Sequence, residues 1–173
     1  MATLEGMATR WPARLAVSPM TPTDAETVAN WRYDGPWAVY NLNGQAPQPI
    51  DAFGTVRAAS GGELIGFFCV GVEARVPGLE EFDGILDLGW GMNPEWVGRG
   101  FGGSFGAVVL HATRNRFDSN MIRAVVQPWN ERSIRVLTTL GFEHRSTHVC
   151  AQRDHPVRYD VLVRDTQNCY SLV

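Results

Sequence analysis

Between positions 97 and 106 the chain reads Val-Gly-Arg-Gly-Phe-Gly-Gly-Ser-Phe-Gly, and the chemistry this composition suits is anion binding. The first N–H groups of a helix have no carbonyl partner, the helix dipole places positive potential at the same end, and glycine removes the Cβ atoms that would bar a ligand. Arg99 adds a fixed positive charge beside those amides, so the natural guest is a phosphate. Each glycine inside a helix costs about 1 kcal/mol relative to alanine. A purely structural helix is therefore expected to avoid Gly102, Gly103 and Gly106 in one stretch. The plainer alternative is a flexible loop running into a poorly made helix with tight packing.

Gly98-x-Gly100-x-x-Gly103 also satisfies the dinucleotide fingerprint, but its context does not. That fingerprint belongs to an early βαβ unit, with an acidic residue about 20 positions on at the end of the next strand. Here the corresponding segment ends in Gln127-Pro128-Trp129-Asn130, and Asp118 precedes it. No Gly-Lys-Ser/Thr follows the glycines to hold a triphosphate and its metal, which excludes a P-loop.

The other reactive residue types are scattered. Cys69, Cys150 and Cys169 are odd in number and far apart, which argues against a disulfide framework and a zinc site. His111, His144, His148 and His155 show no ligand spacing, so no metal is expected. Trp31-Arg32-Tyr33-Asp34-Gly35-Pro36-Trp37 and Tyr40 form an aromatic cluster whose rings, with Arg32 and Asp34, suit a peptide terminus or a cationic amine.

These residues need a scaffold, and the hydrophobic periodicity supplies one. Arg14 to Ser18 reads as a strand, and Thr23-x-x-Glu26 as a capping box opening a helix that buries Ala25, Val28 and Trp31. Phe53 to Ala59 and Glu63 to Val72 flank Ser60-Gly61-Gly62 as a hairpin, and Ile85 to Met92 is a further strand, the three running antiparallel. Phe101, Phe105, Val108, Val109 and Ala112 predict a helix of about four turns behind the glycines. Met121 to Gln127 is a strand, and Asn130 caps a helix with Ile134, Leu137 and Leu140 on one face and Gly141 past its end. Phe142 to Cys150 and Val157 to Val163 close the chain as a strand pair. The order β-α-β-β-β-α-β-α-β-β describes an α/β fold with one strand-helix-strand crossover, centred on the glycines.

Composition bounds the rest. The chain has 173 residues, 45% hydrophobic and 19% charged, which fits one folded domain: a loose tail over 1–11, then a single domain over 12–173. A net charge of −3 leaves no basic surplus for a run of phosphates, so nucleic acid is not expected as a partner. The start has no apolar stretch of signal-peptide length and no segment suggests a membrane span, so the expectation is a soluble, cytoplasmic protein without a membrane partner.

Two segments taken together, DLGWGMNPEWVGRGFGGSFGAVVLHA and, about 20 residues later, QPWNERSIRVLTTLGFEHR, resemble the Gcn5-related N-acetyltransferase (GNAT) superfamily. The motif style is closest to ribosomal-protein N-terminal acetyltransferases. The resemblance implies a mixed, mostly antiparallel twisted sheet of six or seven strands, helices on both faces and a splayed central strand pair. It implies acetyl-coenzyme A as cosubstrate, without metal, and an amine acceptor that is a protein N-terminus or a small molecule. A non-catalytic acyl-coenzyme A sensor of the same fold is the alternative. Monomer and homodimer both stay open.

By the same resemblance, the amides of Gly98, Arg99, Gly100, Phe101, Gly102 and Gly103 hold the pyrophosphate, and Leu88, Trp90 and Met92 carry the pantetheine arm as an added strand. Asn130 hydrogen-bonds the coenzyme, Asp87 of the DLGW stretch accepts the substrate's proton, and Ser133 donates to the departing thiolate. Trp31, Tyr33, Trp37 and Tyr40 wall the acceptor pocket. The chain departs from the pattern at Leu137, where many members carry a tyrosine as general acid, and at Val97, where Gln or Arg is common.

Overall fold

The computed structural model describes residues 10–48, 50–60, 62–152 and 155–167. The strands are β1 (Leu15–Pro19), β2 (Phe53–Ala58), β3 (Leu64–Val70), β4 (Ile85–Met92), β5 (Met121–Val126), β6 (Glu143–Gln152) and β7 (His155–Asp165). The helices are α1 (Pro22–Ala29), α2 (Gly102–Arg116) and α3 (Glu131–Thr139). All seven strands form one sheet in the order β1-β2-β3-β4-β5-β7-β6, antiparallel except where β4 meets β5. The expected element order and mostly antiparallel sheet are both present.

The cap of α1 falls two residues before the expected Thr23. Pro22 fixes the helical φ and lacks an N–H, so it suits the first helical position and makes Thr21 the cap. The Asp24 N–H donates to Thr21 Oγ1 at 3.2 Å, and the Thr21 N–H donates to Asp24 Oδ2 at 2.9 Å. Arg57 of β2 pairs with the same carboxylate and ties the helix start to the sheet. Ala25 and Val28 are buried as expected. Trp31 lies beyond the helix end and packs instead on Phe67, ring centroids 6.0 Å apart.

Two apolar clusters flank the sheet. One face packs α2 and α3 around Phe105, Val109, Ile122, Ala124, Leu137 and Phe142. The other packs α1 around Met20, Val28, Phe53 and Cys69. Trp11, read as the end of a loose tail, stacks on Phe101 at 4.3 Å and meets Trp96 edge-on, so it belongs to the packed body. Residues 1–9 of that tail lie outside the described residues. Among the described residues no helix is long and apolar enough to cross a membrane.

The site is positioned by one irregularity. β4 and β5 pair only from Ile85↔Met121 to Asp87↔Arg123. Beyond that, β4 stays with β3 through Gly66↔Met92, and β5 stays with β7 through Val126↔Asp160. The strands part into a wedge between Leu88–Met92 and Ala124–Val126, which is the expected splay.

Candidate active site

Strand geometry decides what the wedge offers. The Asn93 N–H donates to the Ile65 carbonyl on the β3 side at 2.8 Å, and alternation turns the backbone groups of Met92 and Trp90 toward the wedge. There the Tyr33 hydroxyl donates to the Met92 carbonyl at 2.7 Å. Burial pushes the Tyr33 phenol well above its ordinary pKa, so it stays a donor. Trp90 presents its N–H and carbonyl where β5 has already departed, a free strand edge that suits a peptide-like chain. Side chains alternate too: Leu88 is buried among the α2-side residues, and the Trp90 ring meets Phe105 edge-on at 6.4 Å.

The glycine segment opens at the wide end of this wedge, and its glycines divide by physical cause. Gly98 and Gly100 have φ of +78° and +85°, a left-handed backbone that side chains disfavour, so they make the turn into α2. Gly102 and Gly106 are packing glycines: an added Cβ would stand 2.6 Å from Val136 Cγ2 and 2.4 Å from Leu140 Cδ1 of α3. The expectation that these two mark a phosphate site through their helix cost is thereby corrected, because close α2–α3 contact already accounts for them. Gly103 is different, since a Cβ there meets nothing within 4 Å, and neither does one at Gly100. Those two positions leave open space in front of the helix start. Gly103→Ala is therefore expected to raise the stability of the free protein, by up to about 1 kcal/mol, while weakening the binding of a phosphate-bearing ligand at the helix start. Urea unfolding and calorimetry on the same variant check both signs.

Two guanidinium groups flank the loop. Arg99 lies 5.7 Å from the Trp96 ring centroid. Arg132, in the first turn of α3, lies 4.1 Å over the Trp37 ring and 3.8 Å from where a Cβ on Gly98 would stand. Amide N–H groups, a helix dipole and two cations at one place suit a pyrophosphate.

Asn130 caps α3, accepting from the Ser133 N–H at 3.3 Å, and is 4% exposed. Its Oδ1 also accepts from Trp37 Nε1 at 3.3 Å, and its Nδ2 donates to the Tyr40 hydroxyl at 3.1 Å. Burial pushes the Tyr40 phenol up in pKa, against the lowering effect of the Asn130 hydrogen bond, and nearby Tyr159 adds to the rise. Trp129 lies 6.1 Å from Trp37 and 6.0 Å from Tyr40. Trp37, Tyr40 and Trp129 thus form one aromatic cluster around Asn130, with Tyr159 close by. Trp31, read with the others, packs instead against the α1-side core. Sequence reasoning missed Trp129 and Tyr159, although Trp129 sits directly before the capping asparagine. Leu137 is 4% exposed in the core and offers no phenol, as its residue type requires.

Asp87 is placed differently from its expected role. It is 4% exposed, with Oδ1 and Oδ2 accepting from Arg123 Nε at 2.5 Å and Nη2 at 3.0 Å. Arg75 Nε stands 3.5 Å from Oδ2. A carboxylate enclosed by two guanidinium groups reaches a substrate ammonium only by breaking those pairs, so the geometry disfavours Asp87 as proton acceptor. Among the described residues no group of three or more His, Cys, Asp or Glu is disposed to hold a metal.

A family model described as an acetyltransferase (GNAT) domain matches residues 14–143. No curated protein matches the chain. Among solved structures, an acetyltransferase (GNAT family) from Bacillus anthracis superposes with a TM-score of 0.68 at 16% identity, covering 90% of this chain and 97% of that one. Ribosomal-protein-S5-alanine acetyltransferase from Vibrio fischeri gives 0.60 at 16% identity, covering 89% and 94%. The aminoglycoside acetyltransferase AAC(6')-Ib in complex with coenzyme A gives 0.65 at 22%, covering 89% and 96%.

Proposed function

Because the chain belongs to the acetyltransferase (GNAT) family, we propose that it transfers the acetyl group of acetyl-coenzyme A to a primary amine, a protein N-terminus or a small molecule, by direct attack on the thioester. It is an acyltransferase, and acetyl transfer is the general activity of its relatives. The observation that carries the reading is the wedge between β4 and β5, with the glycine loop at its open end.

Acetyl-coenzyme A, when bound, supplies a thioester carbonyl and a thiolate leaving group. The amides of Gly98 to Gly103, with Arg99 beside them, hold its pyrophosphate. The free edge of β4 at Trp90 pairs with the pantetheine amides, with Met92 beside it once Tyr33 releases its carbonyl, and a wedge-facing N–H stabilises the oxyanion. The amine must arrive neutral; its nitrogen forms the bond to the carbonyl carbon, the C–S bond breaks, and the proton shed by nitrogen balances the one gained by sulfur. Ser133, one turn into α3, donates to the thiolate. Asn130 orders the start of α3 and bonds the coenzyme once Trp37 or Tyr40 gives way. Trp37, Tyr40 and Tyr33 wall the amine's approach.

Thermal unfolding with acetyl-coenzyme A, coenzyme A or a nicotinamide dinucleotide tests the donor. At about 100 times Kd the coenzyme A pair is expected to add about 2.7 kcal/mol, roughly 5 to 10 °C, and the dinucleotide nothing. Thiol release in the presence of peptide N-termini or small amines then tests turnover. No shift with either coenzyme overturns the reading. A shift without thiol release for any amine assigns the chain to the sensor class instead.

A further inference from the structure

The Asp87–Arg123 pair stands at a particular place in the sheet. The two residues are register partners in the last pair before β4 and β5 separate, and each is 4% exposed. Arg123 Nη2 also donates to the Glu80 carbonyl at 2.7 Å, and Phe82 covers the guanidinium at 5.7 Å. Arg75, beside Asp87, is held by Glu81 at 2.9 Å. A buried ion pair is weak evidence for stability, because desolvation offsets its attraction. What a two-point guanidinium–carboxylate contact does supply is fixed distance and orientation. The parallel ladder itself has three register pairs, and this contact stands at the last of them, where the strands begin to diverge.

We propose that Asp87 and Arg123 form a clamp at the apex of the wedge that sets how far β4 and β5 splay, and so the width of the groove that receives the pantetheine arm. Both are positioning residues, acting through the strand edges and not on the reacting atoms. The proposal rests on the coenzyme reading above.

The test uses the full chain in three forms: Asp87→Asn, Arg123→Lys, and the double variant Asp87→Asn/Arg123→Gln. The double variant leaves no unpaired buried charge from this pair, so it reports even where a single variant fails to fold. Coenzyme A affinity by calorimetry is expected to fall about tenfold in the double variant, since small misplacements of a binding edge carry large penalties. Arg123→Lys keeps the charge but gives up the two-point fork, and is expected to lose affinity similarly. The pH profile of turnover keeps its shape throughout. Unchanged affinity in the double variant, or wild-type affinity in Arg123→Lys, overturns the clamp while leaving the coenzyme reading intact. A lost limb of the pH profile with unchanged affinity returns Asp87 to the role of proton acceptor and also overturns it. Absence of coenzyme A binding by the unaltered chain overturns both readings together.

Discussion

Gly100→Glu is expected to lower coenzyme A affinity by at least about a hundredfold, the largest binding effect of any single change in the loop. Two physical effects add. Gly100 has φ of +85°, and a side chain there strains the backbone by about 1–3 kcal/mol, which reshapes the turn that aims the amides. The Cβ position faces open space, with no atom within 4 Å apart from its own chain neighbours, so the new carboxylate enters the volume where a phosphate would sit. Two negative groups competing for one cluster of N–H donors repel, and the carboxylate is covalently present at every ligand concentration. Gly100→Ala separates the effects, because it carries the strain without the charge and should lose far less. Calorimetry with coenzyme A on both variants is the check. Unchanged affinity in Gly100→Glu would show that the loop is not the phosphate cradle.

Phe105→Ala is expected to cost about 3–5 kcal/mol of folding stability, out of the roughly 5–15 kcal/mol typical of a domain. Phe105 is fully buried, and its ring fills the space that a Cβ on Gly66 would need, 2.4 Å away. It also meets the Trp90 ring of β4 and sits in the first turn of α2, directly behind the glycine loop. Removing the ring therefore leaves a cavity that rigid neighbours on three elements cannot collapse into. Urea unfolding of the variant measures the loss, and a change below about 1 kcal/mol would mean that the α2–sheet interface repacks without it.

Much of the architecture was legible because it follows from local pattern. Apolar alternation and helical spacing place seven strands and three helices in the order observed. Three of the misses share one cause, which is competition between chemically similar neighbours. Thr21 and Thr23 both resemble caps, and the choice falls to Pro22, whose ring is tolerated at the first helical position. Gly102, Gly103 and Gly106 look alike in sequence, yet two are glycine because α3 lies against them and one because nothing does. Trp31 and Trp37, six residues apart, end in different places, Trp31 against Phe67 in the α1-side core and Trp37 against Asn130, Trp129 and Arg132 at the start of α3, since a turn after α1 lies between them.

The residue types and their spacing by themselves determined the element order, the glycine-dense entry into α2, the cap at Asn130 and the absence of a phenol at position 137. Each of these is a property of the chain over one or two turns, governed by backbone hydrogen bonding and local sterics. Only the tertiary structure decided the partner of Asp87. Position 87 reads as a lone carboxylate beside an active strand, and Arg123 lies 36 residues away on the strand that crosses back through α2. Long-range pairing of two buried charges depends on strand register, which one residue of slip would change entirely. The pairing that encloses the Asp87 carboxylate is therefore absent from any local window of the sequence.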